Sequence, residues 1–451
     1  MSSVLTSGDY RSNIWQLSWP MLIIMILNFL IGIADIYVAG LISPRVQAAV
    51  GFVTQLYFLV IIVANAISIG TLALVSRAIG AGNVKRAVDI ARQSIIFSII
   101  VAVVMMFLFL VFNKEIISLA GFPIEIQGIA EIFLKIFTFA LGPNYILIIA
   151  SAIFRASGEV KKPLFAMALV SVLNIAGDFI LVFGYPPLPS LGYPGIALSG
   201  ALSVTAGTVA CLAMFASGQW VSLYKGGWNF SLATIRAITQ IGWPAALLQM
   251  SWNFATIIIY NILSHLKGQN ITALAALASG LRIEAVIYLP AFALNMAASV
   301  LVGQNLGAGS PGRAEKLAWI TAWAGVAIMT AMALIVFIWA EFFASIVAKD
   351  SAVLAETVRY LRITMFSEPF LALSLVLGGG LQGAGDTRST MWVTFISMWL
   401  IRLPLAWLLS LNMDLGAVGV WAAMVSSMVM QGLMMSWRFH QGKWKQIKVD
   451  V

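Results

Sequence analysis

The sequence predicts an all-α integral membrane protein whose twelve transmembrane helices form two pseudo-symmetric six-helix lobes. Three observations carry that prediction. The first is composition: 61% of the 451 residues are hydrophobic and only 10% are charged, against about 25% charged in a soluble domain. The second is a series of apolar runs about 20 residues long, the length that crosses ~30 Å of hydrocarbon. "IIFSIIVAVVMMFLFLVF" and "TAWAGVAIMTAMALIVFIWA" are two of the twelve. The third is an internal repeat, since "LVSRAIGAGNVKRA" (74–87) and "LVGQNLGAGSPGRA" (301–314) share Leu-Val, Gly-Ala-Gly, Arg and Ala in register.

Taken along the chain, the polar start "MSSVLTSGDYRSN" precedes an apolar run with no small-residue cleavage site. That run is expected to stay as the first span. The loops then alternate in charge. "SRAIGAGNVKRAVDIAR" (76–92), "FRASGEVKKP" (154–163), the 218–242 connection with Lys225 and Arg236, "GRAEK" (312–316), Arg388, and the tail with Lys443, Lys445 and Lys448 are basic. By the positive-inside rule these face the cytoplasm. "GYPPLPSLGYPG" and "NMDLGAVG" carry no Lys or Arg and are expected outside, which puts both termini inside. Only the 341–359 connection mixes signs. The net charge of +9 is thereby accounted for by membrane topology, and no nucleic-acid partner is expected.

The repeat fixes the expected organisation. A shift of 227 also lays "FRASGEVKKP" on "LQGAGDTRST" (381–390), while a shift of 224 lays "SWP" (18–20) on "GWP" (242–244) and "LGYPG" on "LGAVG" (415–419). The expected lobes are 1–217 (spans 1–6) and 243–451 (spans 7–12), joined by a cytoplasmic linker at 218–242. An even number of spans per copy makes the repeats parallel, and transporters place substrate and ion sites where such halves face each other. The Gly-Ala-Gly loops lack a following Lys-Ser/Thr and a preceding strand, so they read as tight turns and not as phosphate cradles. The single Cys211 sits in an apolar span and excludes an intramolecular disulfide framework. His265 and His440 have no metal-ligand spacing, so no metal or other cofactor is expected.

One carboxylate stands out in "NFLIGIADIYVAG" (28–40). Asp35 near mid-bilayer costs roughly 2.5 to 3.5 kcal/mol on insertion scales. The repeat supplies an internal control: Asp35 falls on Ile259, and the second mid-span acid, Asp178, falls on Leu405. Both acids are peculiar to the first copy, which points to a task performed by one lobe. Ser171 and Asn174 share the helix face of Asp178, and Asn28 lies seven residues before Asp35. Such a polar stripe can solvate a carboxylate, and desolvation disfavours its anion. A proton could then bind reversibly near physiological pH. Pro20 breaks one backbone hydrogen bond of the first span and is the candidate hinge; Pro244 repeats it. Arg282, Glu284, Glu368 and Arg402 in the second copy balance in sign and are expected to form intramembrane ion pairs.

At this point the residues resemble the multidrug and toxic compound extrusion (MATE) transporters, through "WP" twice, "ADIYVAG", "RAIGAGN", "FRASGEVKKP", "LVGQNLGAG" and "LQGAGDTR". The resemblance covers nearly the whole chain. It implies a two-lobe exporter of large, amphipathic, often cationic drugs in exchange for H+ or Na+. Within that family the chain looks like the DinF-like branch, which has acids in the first and fifth spans, where Asp35, Asn174 and Asp178 fall; proton coupling is expected at Asp35 and Asp178, in a cavity that includes Asn28, Tyr37, Ser171 and Asn174. Na+ at Asp35, Asn174 and Asp178 is the alternative, as is a dedicated exporter of an endogenous metabolite or lipid. The expected partners are small-molecule drugs and membrane lipids, without an obligate protein partner, in a bacterial inner membrane. No metal-binding "HExxH" and no nucleophile cluster at helical spacing supports an intramembrane enzyme.

Overall fold

The computed structural model describes residues 5–186, 189–225, 230–266 and 268–447. Among these, twelve helices are long and apolar enough to cross a membrane. In the first copy they are span 1 (Tyr10–Ile42), span 2 (Pro44–Gly80), span 3 (Val84–Val111), span 4 (Ile124–Ala156), span 5 (Lys161–Phe183) and span 6 (Pro194–Phe215). The second copy holds span 7 (Leu232–Ser264), span 8 (Asn270–Gly307), span 9 (Pro311–Ile338), span 10 (Ser351–Gly383), span 11 (Thr387–Asn412) and span 12 (Gly416–His440). Spans 3 and 9 have 28 residues each, and spans 4 and 10 have 33 each. Short helices Asn113–Leu119 and Ala340–Val347 follow spans 3 and 9 at the same shift of 227.

The turns repeat as closely as the helices. Ala81, Gly82 and Asn83 donate backbone N–H to Arg77, Ile79 and Ala78; Ala308, Gly309 and Ser310 donate to Gln304, Leu306 and Asn305. Crossed bonds of this kind close a helix end when the residue after the last turn is left-handed. Gly82 (φ 72°) and Gly309 (φ 69°) supply that conformation, so the Gly-Ala-Gly motifs are helix stops. Asn83 then starts span 3 by accepting from Arg86 N–H at 3.0 Å.

One expected loop is not a loop. Within 341–359, Ala340–Val347 is helical and span 10 begins at Ser351, where Asp350 accepts from Ala352 and Val353 N–H at 3.0 Å. This N-cap starts span 10 inside the expected connection. Glu356 and Arg359 therefore belong to a span.

Compact unit one comprises Trp19–Gly242, and unit two comprises Ser3–Ser18 with Trp243–Lys448. The divide cuts spans 1 and 7 immediately before Trp19-Pro20 and Trp243-Pro244. Each unit is closed by the same device after its last span. "FASGQW" (215–220) and "FHQGKW" (439–444) each carry a left-handed glycine, Gly218 (φ 67°) and Gly442 (φ 70°). That turn folds Trp220 and Trp444 back onto Phe215 and Phe439, at ring-centroid distances of 6.0 and 4.7 Å. Both tryptophans are fully buried. Glu159 accepts from Trp220 Nε1 at 3.1 Å, and Asp386, its repeat partner, binds Arg438 at 2.6 Å. The first residues of the expected 218–242 linker thus pack into unit one; residues 226–229 of it, 187–188 of the expected outer loop and Lys448 of the tail lie outside the described residues.

Packing within units needs small residues where helices approach. Cβ atoms on Gly195 and Gly419, 224 residues apart, would stand 2.8 and 2.7 Å from the backbone carbons of Leu181 and Leu409. Only glycine lets spans 6 and 12 approach spans 5 and 11 this closely.

Candidate functional site

In unit one, span 1 brings Asp35 to the face of span 5 that carries Ser171, Asn174 and Asp178. These three are spaced i, i+3, i+7, so one helix face presents all of them. All three are buried. The Asp35 carboxyl lies against the Asp178 carboxyl and the Asn174 side chain. Ser199 of span 6 completes the wall: its hydroxyl donates to the Asn174 carbonyl at 2.7 Å and stands beside Asp178. A Cβ on Gly177 would come within 2.5 Å of Ser199 Oγ, so the glycine admits the serine. Asn174 also sits near Gly200 and Phe137; Phe137 packs on Tyr57 at 5.1 Å, and Tyr57 Oη accepts from Asn144 at 2.8 Å.

The group is rich in unused acceptors. Asp35 Oδ1, both Asp178 carboxyl oxygens, Asn174 Oδ1 and Ser171 Oγ are buried without a hydrogen-bond partner. Buried polar atoms are normally paired. Two carboxyls side by side with no basic group among them are completed chemically by a proton or by a small hard cation, for which carboxylate, amide and hydroxyl oxygens are fitting ligands. Two residues expected here stand apart. Asn28 is exposed and its amide donates to its own helix at Ile24 O (2.9 Å), while Tyr37 is exposed and turned from the Asp35 face. Pro20 is buried inside span 1, fifteen residues before Asp35. Sequence reasoning passed over Ser199, Phe137, Tyr57 and Asn144; the small-residue "LSGALS" around Ser199 was the available sign of a close helix contact.

Unit two has a buried polar group of different make. Glu284, Glu368 and Arg402 are 2%, 1% and 4% exposed, whereas Arg282 is exposed and outside the group. Glu284 accepts from Tyr288 Oη at 2.7 Å, and Tyr360 and Thr364 face it. Among the described residues Arg402 forms no ion pair at contact distance, which corrects the expected pairing. Its Nε donates to Ser427 Oγ at 2.8 Å, and its guanidinium lies over the Trp252 ring at 5.7 Å. A π-helical stretch, Ile396–Arg402, ends at this arginine, and such turns re-aim a side chain that regular α-helix would direct elsewhere. Glu368 Oε2 and Arg402 Nη2 have no partner.

Comparison with known proteins decides the family. The MatE family model matches the chain twice, at residues 20–180 and 244–408. The chain belongs to the MATE transporter family. It is a transporter and not an enzyme. The two MATE matches start at Pro20 and Pro244, the same Trp-Pro step of each copy. A probable multidrug resistance protein NorM of Thermotoga maritima is 26% identical over 97% of the chain and 94% of its own length. The uncharacterized transporter YisQ of Bacillus subtilis is 23% identical over 97% and 96%. Among solved structures, an outward-facing multidrug resistance MATE family transporter aligns with TM-score 0.87 at 22% identity, covering 97% of this chain and 98% of the other. A MOP superfamily transporter from Pyrococcus furiosus aligns with TM-score 0.88 at 21% identity over 98% of both chains. At this identity the structural likeness speaks for the MATE fold alone.

Proposed function

We propose that this MATE protein is a proton-coupled multidrug antiporter of a bacterial inner membrane, both termini cytoplasmic, working by alternating access. Asp35 is the main protonation site, with Asp178 and Asn174 supporting it. The observation that carries this reading is the meeting of two carboxyls in unit one with several partnerless oxygens and no cation. Multidrug export is supported by relatives such as the probable multidrug resistance protein of Thermotoga maritima, which matches over nearly the whole chain. In the inward-open state Asp35 releases its proton to the cytoplasm and amphipathic, often cationic drug enters; protonation from outside then favours drug release. Drive comes from the difference in proton affinity between the two conformations, since a ligand shifts an equilibrium only by its differential affinity. The acids in spans 1 and 5, with none in span 7, favour the DinF-like branch.

Sodium coupling is the second reading, favoured by the same all-oxygen donor set. Substrate-induced pH change in everted vesicles, with and without Na+, tests both. Drug-dependent proton movement in Na+-free medium is the outcome expected; movement that requires Na+ transfers the role to sodium, and no movement in either medium ends both.

A further inference from the structure

The outer wall of unit two carries a groove that neither the buried polar group nor the transport reading uses. It lies between spans 10 and 12, has a volume of about 570 Å³, and is lined by Arg359, Arg362, Ile363, Phe366, Ala422 and Val425 among others. Helical spacing places it opposite the buried group. Tyr360, Thr364 and Glu368 face inward at i, i+4, i+8, while Arg359, Arg362 and Phe366 follow each other at i, i+3, i+7 on the other side. Phe366 is 65% exposed, and Leu433 and Trp437 continue the exposed apolar wall along span 12. That is a hydrocarbon-facing surface.

Two arginines on such a surface need an anion. Arg359 reaches Glu356 at 2.9 Å. Arg362 has no ion pair among the described residues, so the groove holds one uncompensated positive charge. The 33 residues of span 10 extend about 50 Å at 1.5 Å per residue, roughly 10 Å beyond the hydrocarbon at each end. Arg359 then sits at the hydrocarbon boundary and Arg362 one turn below it, within reach of the headgroups by extending its side chain. Under the expected topology that boundary is the outer one.

The repeat again acts as a control. Unit one has the same groove between spans 4 and 6, lined by Ile136, Phe139, Ala140, Leu198 and their neighbours, with a volume of about 250 Å³. Lys135 stands at the position of Arg362, but Glu131, where unit two has Val358, binds it at 2.7 Å. Ile132 stands where unit two has Arg359. The first groove is smaller, and its cation is already neutralised.

We propose that the groove between spans 10 and 12 binds one anionic phospholipid, its phosphate on Arg362 and Arg359 and an acyl chain along Ile363, Phe366, Ala422 and Val425. The proposal rests on the membrane-spanning reading but not on the coupling ion. Its test is native mass spectrometry of the purified full chain titrated with palmitoyl-oleoyl phosphatidylglycerol or the matching phosphatidylcholine. Wild type should bind phosphatidylglycerol several-fold more tightly than phosphatidylcholine. Arg362→Gln should lose about fivefold in phosphatidylglycerol affinity, the worth of one cation beside anionic lipid, and Arg362→Lys should keep most of it. Lys135→Gln should change nothing. Ala422→Trp, which fills the acyl channel and leaves both arginines, should also weaken binding, and it stands in if Arg362→Gln does not fold. Drug export should persist in every one of these variants. Equal affinity for the two lipids, an undiminished affinity in Arg362→Gln or Ala422→Trp, or an equal loss in Lys135→Gln would overturn the proposal.

Discussion

The two buried polar groups are built on different spans of their copies, spans 1 and 5 in unit one and spans 8, 10 and 11 in unit two. Unit one sets Asp35 and Asp178 around the neutral amide of Asn174; unit two sets Glu284 beside Glu368 and within electrostatic reach of the Arg402 guanidinium. Both contain two carboxyls in an apolar interior. Only unit two carries its own cation. A buried charge must be compensated from somewhere, and the difference is whether the compensation is built in or imported. On the proposed reading unit one is left to exchange a proton for drug, while unit two keeps one fixed cation for its two carboxyls and acts as scaffold.

The largest effect should come from removing the exchangeable group. Asp35→Asn mimics the protonated form and should insert and fold normally yet lose active efflux and substrate-induced proton movement altogether. Near-normal proton-driven transport by the purified variant in liposomes would remove Asp35 from the coupling role. Glutamate at this position should retain part of the coupling, because it moves the ionisable group by one methylene only.

The comparison can also be broken from the other side. Arg402→Gln leaves two buried acids in unit two without their cation, and stability should fall by about 3 kcal/mol, the usual cost of stranding a buried charge. Thermal unfolding in detergent measures that loss. The protein that remains folded should keep its pH dependence of transport, and a shifted profile would mean that unit two takes part in coupling.

Smaller effects sharpen the assignment within unit one. Asp178→Asn or Asn174→Ala should weaken drug resistance by about tenfold, on the order of 1.4 kcal/mol, with the amount of folded protein unchanged. Resistance and folded protein falling in step would favour a structural role instead. Smallest for transport should be the repeat partners. Ile259→Ala removes a side chain that is 2% exposed and should cost about 2 kcal/mol of stability. Leu405→Ala, at a partly buried position, should cost less. Neither should move the pH profile.

Much of this was legible in the residues in order. Twelve apolar runs, the alternation of basic and uncharged loops, and the "GAG" and "WP" repeats predict the spans and the two copies, because hydrophobic length and helix-stop chemistry are local properties. The asymmetry of Asp35 and Asp178 was equally plain, since it needs only the repeat shift. The "FASGQW" and "FHQGKW" closures were present in the sequence too, and went unread because their meaning lies in a tryptophan folding back onto its own helix.

What the tertiary structure alone decided is which side chains meet. Ser199 joins Asp178 because Gly177 leaves room for it; Asn28, at the right spacing, turns to its own backbone instead. Arg402 reaches Ser427 and Trp252 from the end of a π-helical stretch, and no hydropathy pattern records a change from α to π turns. Charge balance in a list of residues likewise predicted ion pairs in unit two that the packing does not form. Composition and periodicity determine what a segment is and how far it runs. Partners separated by 25 or 87 residues are chosen by how closely two helices can approach, which depends on side-chain volumes on both and is therefore a property of the folded pair.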